Sequence, residues 1–88
     1  MFEWDEAKRL KTLKDRDLDF KDTWQVFDGR PVLHLPSWRN NESCFVSVSE
    51  INGDLYTVVW AWRGENRRII SFRRARNAEK RAYRKAHG

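Results

Sequence analysis

Six arginines, Arg63, Arg67, Arg68, Arg73, Arg74 and Arg76, fall within one short stretch of the chain. Guanidinium groups are charged at any physiological pH and present planar forks of N–H donors that match phosphate oxygens. Three of them around one phosphate would stabilise the extra negative charge of a pentavalent transition state, because preorganised cations lower such a barrier. The competing expectation is structural: strand-end charges that pair with Glu79, Glu65 or Asp54. His34 and His87 are the groups suited to proton transfer near neutrality. Neither sits in a motif, and His34, between Leu33 and Leu35, reads as an ordinary strand side chain. One cysteine and two distant histidines lack zinc-site spacing. Gly29, Gly53, Gly64 and Gly88 are isolated, so no phosphate-cradling glycine loop is expected, and no serine sits in a nucleophile elbow. Metal, cofactor and triad chemistry are not anticipated. Trp38, beside Arg39 in the polar stretch 37–43, is the aromatic best placed to stay exposed and stack on a splayed base. Trp60, Trp62 and Tyr56 could stack on bases as well, but most of these aromatics should be core, with one or two of the five Trp left for function.

The charge around these residues is lopsided. Residues 63–88 hold ten Lys/Arg against two acids, while residues 1–62 hold eight against eleven, so the net +5 divides as about +8 and −3. Such a basic end suits a polyanion, because each neutralised phosphate releases condensed counterions. Eighty-eight residues suffice for one domain, 1–88, with a thin core. The lone Cys44 cannot form an internal disulfide and fits a reducing cytoplasm. No apolar run is long enough to span a membrane, and the acidic, Lys-containing start is unlike a signal peptide.

The elements that must position the arginines can be read from periodicity. Asp5 is suited to cap a helix running to about Arg16, with Ala7, Leu10 and Leu13 as its apolar stripe. Phe20, Trp24 and Phe27, spaced four and three, predict a second helix that ends at Asp28-Gly29. Residues 31–35 predict a short or edge strand ended by Pro36. Residues 44–51 and 54–62 flank Asn52-Gly53, the dipeptide of a type I′ hairpin, which sets Ser49 opposite Tyr56, Ser47 opposite Val58 and Phe45 opposite Trp60. A turn at Gly64 returns the chain into a third strand, 67–74. Simple alternation places Arg67, Ile69, Ser71 and Arg73 on one face and Arg68, Ile70, Phe72 and Arg74 on the other. Residues 77–86 predict a basic helix with a weak apolar face, Ala78, Ala82 and Tyr83. The expectation is an α+β domain: N-terminal helices on a three- to four-stranded antiparallel sheet, with a C-terminal basic helix.

Two stretches resemble a known family. Phe2-Glu3-Trp4-Asp5-Glu6-Ala7-Lys8, continuing through Leu13 to Phe20 and Val26-Phe27, is similar to the opening of the BrnT toxins. Arg63-Gly64, Arg68-Ile69-Ile70-Ser71-Phe72-Arg73-Arg74-Ala75, then Glu79 and Tyr83, is similar to their closing signature. The resemblance implies a RelE-like fold and a metal-independent endoribonuclease that inhibits translation. It also implies a ribbon-helix-helix antitoxin, BrnA, whose complex with the toxin binds operator DNA. Carried over, it puts Arg63, Arg73 and Arg74 on the catalytic surface, with Arg68 as a secondary choice. Arg67, Arg68, Arg76, Lys80, Tyr83, Trp38 and Arg39 complete the RNA-binding candidates. The chain departs from the family pattern at Asp15-Arg16-Asp17, where Lys-His-Gly is common, at Cys44, where Arg is common, and at Arg76, where a Thr would cap the last helix and Asn77 is the substitute. A catalytically degenerate module that binds nucleic acid or antitoxin is the alternative; a weaker third reading is a basic tail that only docks an acidic partner.

Overall fold

The computed structural model describes residues 1–39 and 41–88. Strand β1 (Phe2–Trp4) leads into helix α1 (Glu6–Arg16), a 3₁₀ helix (Phe20–Phe27), strands β2 (Val32–Arg39), β3 (Glu42–Ile51), β4 (Asp54–Arg63) and β5 (Asn66–Arg74), and helix α2 (Asn77–His87). The sheet order is β1-β5-β4-β3-β2. Four strands form the expected antiparallel meander, but β1 adds a fifth, parallel to β5. The sheet is therefore mixed. Three residues are too few to show alternation, which is why β1 was not readable from the chain.

The Asn52-Gly53 hairpin forms in the register its sequence dictates, with Ser49 opposite Tyr56, Ser47 opposite Val58 and Phe45 opposite Trp60. Asn52 and Gly53 both take positive φ, 52° and 88°, as a type I′ turn requires. β2 runs on through Pro36 to Arg39 rather than stopping there. It is an edge strand, where a residue without an N–H removes no bond from an interior ladder.

Two helical expectations change. Phe20–Phe27 is 3₁₀, so residues three apart align: Phe20, Thr23 and Val26 are buried, whereas Trp24 is 52% exposed. Asp5 caps α1 as expected, accepting from the N–H groups of Ala7 (2.9 Å) and Lys8 (3.4 Å). The helix, however, turns its apolar stripe outward: Leu10 is 52% and Leu13 36% exposed, while Arg9 and Thr12 face inward. Arg9, held by Glu6 one turn earlier on the same helix, fixes this rotation by pairing with Asp19, 3.2 Å away beyond the helix.

The bulge in β5 has the largest consequence for the arginines. Val59 pairs with Ser71 but Trp60 pairs with Ile69, so Ile70 is an extra residue. Alternation therefore skips a beat, and Ile69 and Phe72 both join Val58, Trp60, Phe20 and Val26 in the main core. Ile70 instead packs with Cys44, Val46, Val59 and Ala61 on the opposite face. For convenience, the face under the 3₁₀ helix is the inner face and the other the outer face. The arginines re-sort accordingly: Arg67 and Arg74 lie on the inner face, against Phe27 and Tyr56 respectively. Arg68 and Arg73 lie on the outer face, bonded to Glu3 and Glu79. The pairings expected from strict alternation, Arg67 with Arg73 and Arg68 with Arg74, are corrected by that one residue.

Candidate nucleic-acid interface

The outer face carries a groove of about 290 Å³ between α1 and the sheet, lined by Lys8, Lys11, Thr12, Asp15 and Arg16 of α1, Arg39 of β2, and Ile70 and Ser71 of β5. The four-residue turn of α1 is what projects Lys8, Lys11, Thr12 and Asp15 along one side. The bulge at Ile70 brings two adjacent β5 residues to the other. Lys11 holds Asp15 at 3.0 Å in an exposed pair one helical turn apart, whereas Lys8, Arg16 and Arg39 make no ion pair among the described residues. A groove with free cations on both walls is an electrostatic trap for a phosphate chain.

Arg63 and Arg68 stand on the same face, at the Gly64 end. Arg63 pairs with Glu42 and Arg68 with Glu3 at 2.9 Å. All four carboxylate and guanidinium groups are part-exposed, and each arginine depresses both acids: Glu3 is lowered chiefly by its hydrogen bond from Arg68, and Glu42 chiefly by its bond from Arg63. Arg39 is opposite Glu42 in the ladder. Exposed pairs of this kind are weak because solvent screens them, so an incoming phosphate can exchange places with either carboxylate.

Arg73 is tied down differently. Its guanidinium donates to both oxygens of Glu79 (2.7 and 2.9 Å), and Glu79 also accepts from the Arg76 N–H (2.7 Å) and the buried Thr57 hydroxyl (3.0 Å). These bonds, Arg73 first, hold the Glu79 carboxyl down to about 2. Glu79 thus supplies its half of a capping box, while Arg76 rather than Asn77 occupies the cap position. Arg74 is exposed on the inner face, 3.6 Å from Asp54.

The structure therefore does not bring Arg63, Arg73 and Arg74 together. Arg73 faces Thr57, and Arg63 ends the same strand six residues on, about 20 Å away at about 3.3 Å per residue. Arg76, Lys80 and Tyr83 also belong to the far end, where Lys80 and Tyr83 border a cavity shared with Glu50 and Asp54. What does converge with Arg63 is Arg68, Arg39 and the α1 cations. Lys8, Lys11 and Arg16 were missed because they sit in the acidic half of the chain; their three- and five-residue spacing along one helix was the available signal.

His34 lies on the inner face. Its Nδ1 is 2.6 Å from the Ser47 hydroxyl, which also accepts from the Trp60 indole N–H at 2.8 Å. Trp60 can only donate, so Ser47 has its own proton free for a neutral imidazole. Burial, and secondarily the charge of Arg67, lowers the His34 pKa and favours that neutral form. Among the described residues no cluster of three His, Cys, Asp or Glu side chains has the closeness to hold a metal ion, and no helix is long and apolar enough to cross a membrane.

The family model for the ribonuclease toxin BrnT of type II toxin–antitoxin systems matches residues 4–79. No curated protein matches the chain. The match runs from Trp4, the last residue of β1, to Glu79 and takes in α1, strands β2 to β5 and the outer-face groove. The chain belongs to the BrnT family of type II toxin–antitoxin ribonuclease toxins.

Proposed function

We propose that this protein is a metal-independent endoribonuclease that threads single-stranded RNA through the outer-face groove. The observation that carries this reading is the convergence of unpaired Lys8, Arg16 and Arg39 on one groove with Arg63 and Arg68 on the same face. The α1 cations and Arg39 hold the flanking phosphates. Arg63 and Arg68 exchange Glu42 and Glu3 for the scissile phosphate and stabilise its transition-state charge. RNA brings its own nucleophile: the 2′-hydroxyl gives its proton to water and its oxygen bonds to phosphorus, the bond to the 5′-oxygen breaks and that oxygen takes a proton from water, leaving a 2′,3′-cyclic phosphate and a free 5′-hydroxyl. The protein need only orient and neutralise. A family of type II toxins implies an antitoxin partner; a BrnA-type ribbon-helix-helix protein, with the complex binding operator DNA, is the form we propose, and arrest of translation in the cytoplasm is the outcome of cleavage.

The test is incubation of the purified protein with cellular RNA in EDTA, beside Arg63→Ala/Arg68→Ala and Arg73→Ala. Loss of one preorganised donor typically costs about 100-fold or more, so the double variant should be inactive and its products' cyclic ends absent. Undiminished cleavage by the folded double variant would refute the site. A second reading, a binding module without catalysis, is favoured by one feature: no histidine lines the groove. It predicts RNA binding by the wild type with no cyclic phosphate formed.

A further inference from the structure

The rung of the sheet nearest the Gly64 turn carries, on its inner face, an unusual row. Trp38 is opposite Ser43 in β3, and Trp62 of β4 is opposite Arg67 of β5, which is in turn opposite Phe2 of β1. Carrying the β3–β4 register one further inner-face pair past Phe45 and Trp60 sets Ser43 opposite Trp62. The row is thus Trp38, Ser43, Trp62, Arg67, Phe2. The 3₁₀ helix covers the neighbouring rungs and, through Phe27, the Arg67 and Phe2 end of this one, but leaves its β2–β4 part open: Trp38 is 67% and Trp62 47% exposed, and Ser43 is exposed between them.

Two exposed indoles flank a small polar residue, separated by two strand spacings, about 9.6 Å between backbones. A flat ring sandwiched between two others at contact distance needs about 7–8 Å. The spacing therefore leaves room for one planar aromatic group between the two indoles, over Ser43. Trp62 is held from its β5 side by the Arg67 guanidinium, 4.8 Å from the ring centroid, and from the core side by Trp60, edge-on at 5.2 Å. Arg67 itself is packed against Phe27 (4.6 Å) and Trp60 (5.4 Å), makes no ion pair among the described residues, and has a buried Nε without a hydrogen-bond partner. A cation with no counter-ion, one ring beyond the space between two exposed indoles, matches an anion linked to a flat ring. That is the chemistry of a nucleotide.

We infer that Trp38 and Trp62 clamp one base of single-stranded RNA above Ser43, with Arg67 facing the adjoining phosphate. The inference rests on the groove reading above and extends it: Trp62 and Arg63 are consecutive and point to opposite faces, so an RNA strand held by Arg63 reaches the slot by passing the Gly64 end. Phosphates are then bound on one face and a base is read on the other. Stacking is sequence-tolerant, whereas Ser43 favours a base edge able to pair with a hydroxyl.

The experiment compares the full-length protein's affinity for a short single-stranded RNA with that for the same oligonucleotide made abasic. Wild type should prefer the base-bearing strand by about tenfold, in keeping with stacking on an aromatic side chain. Trp38→Ala, and separately Ser43→Leu, which fills the slot at an exposed position and keeps both indoles, should each remove that preference while leaving abasic affinity in place. Lys11→Ala/Arg39→Ala should weaken both ligands alike. A preference that survives Ser43→Leu and Trp38→Ala overturns the clamp and spares the groove. Absence of binding to either strand by the wild type overturns both. Loss of antitoxin binding in these variants, with RNA preference intact, assigns the face to a protein and overturns the clamp.

Discussion

At the scale of single residues, what decides a side chain's role here is whether its charge already has a partner. Arg73 looked equivalent to Arg63 in the sequence, yet it belongs to Glu79, and that pair is nearly closed to solvent at 13% and 15% side-chain exposure. Its consequence is measurable. An unfolded glutamate titrates near 4.5, and the folded Glu79 near 2, so the stabilisation is complete above about pH 4.5 and disappears as pH falls toward 2. The shift corresponds to an amount on the order of 3 kcal/mol. Urea unfolding at pH 7 and pH 3 should show this loss in the wild type and a much smaller one in Glu79→Gln; equal losses would remove Glu79 from the account. His34 offers a second check. Burial and Arg67 both favour its neutral form, so its NMR titration should lie below the ordinary 6.5, and Arg67→Gln should raise it. No upward movement in that variant would leave burial as the sole cause.

At the scale of elements, short-range rules succeed where one residue type fits one backbone conformation. Asn52-Gly53 set the hairpin register without help from the rest of the chain, because positive φ at both positions suits few other residues. Gly53→Ala, at φ 88°, should therefore cost about 1 kcal/mol or more in thermal or urea unfolding. The helices behave otherwise. The apolar stripe of α1 predicted its own burial, but Arg9 turned the helix by pairing with Asp19, a residue beyond the helix's end. Leu10→Ala should accordingly cost less than about 0.5 kcal/mol, the range of a surface substitution, rather than the 2–5 kcal/mol of a core leucine. A core-sized loss would mean that α1 packs its stripe against something in solution. The 3₁₀ segment fails the four-and-three rule for the same kind of reason: its period is three, and the core beneath it selected Thr23 over Trp24.

At the scale of the whole molecule, charge and topology answer different questions. The groove and the Gly64 end together offer five unpaired or exchangeable cations, Lys8, Arg16, Arg39, Arg63 and Arg68, to a single strand, so the logarithm of RNA affinity should fall with the logarithm of salt with a slope of about −3.5. Replacing Lys11 and Arg39 should flatten that slope by about 1 or more, and a salt-independent affinity would sink the electrostatic reading. The basic balance of residues 63–88, the hairpin register, the Asp5 cap and the strands of the meander follow from the chain alone, because each depends on local propensity or on composition. Where the arginines point does not. One bulge residue, Ile70, exchanges the faces of Arg73 and Arg74, and nothing in 67–74 announces it, since Ile69 and Ile70 are chemically interchangeable and the core of the opposing layer decides which is extra. The parallel pairing of Phe2–Trp4 with β5, the outward turn of α1, and the meeting of Lys8 and Arg16 with Arg39 are likewise long-range events. They join different elements, from Arg9 with Asp19 to Phe2–Trp4 with β5, and only the packing of the folded chain brings these to one surface.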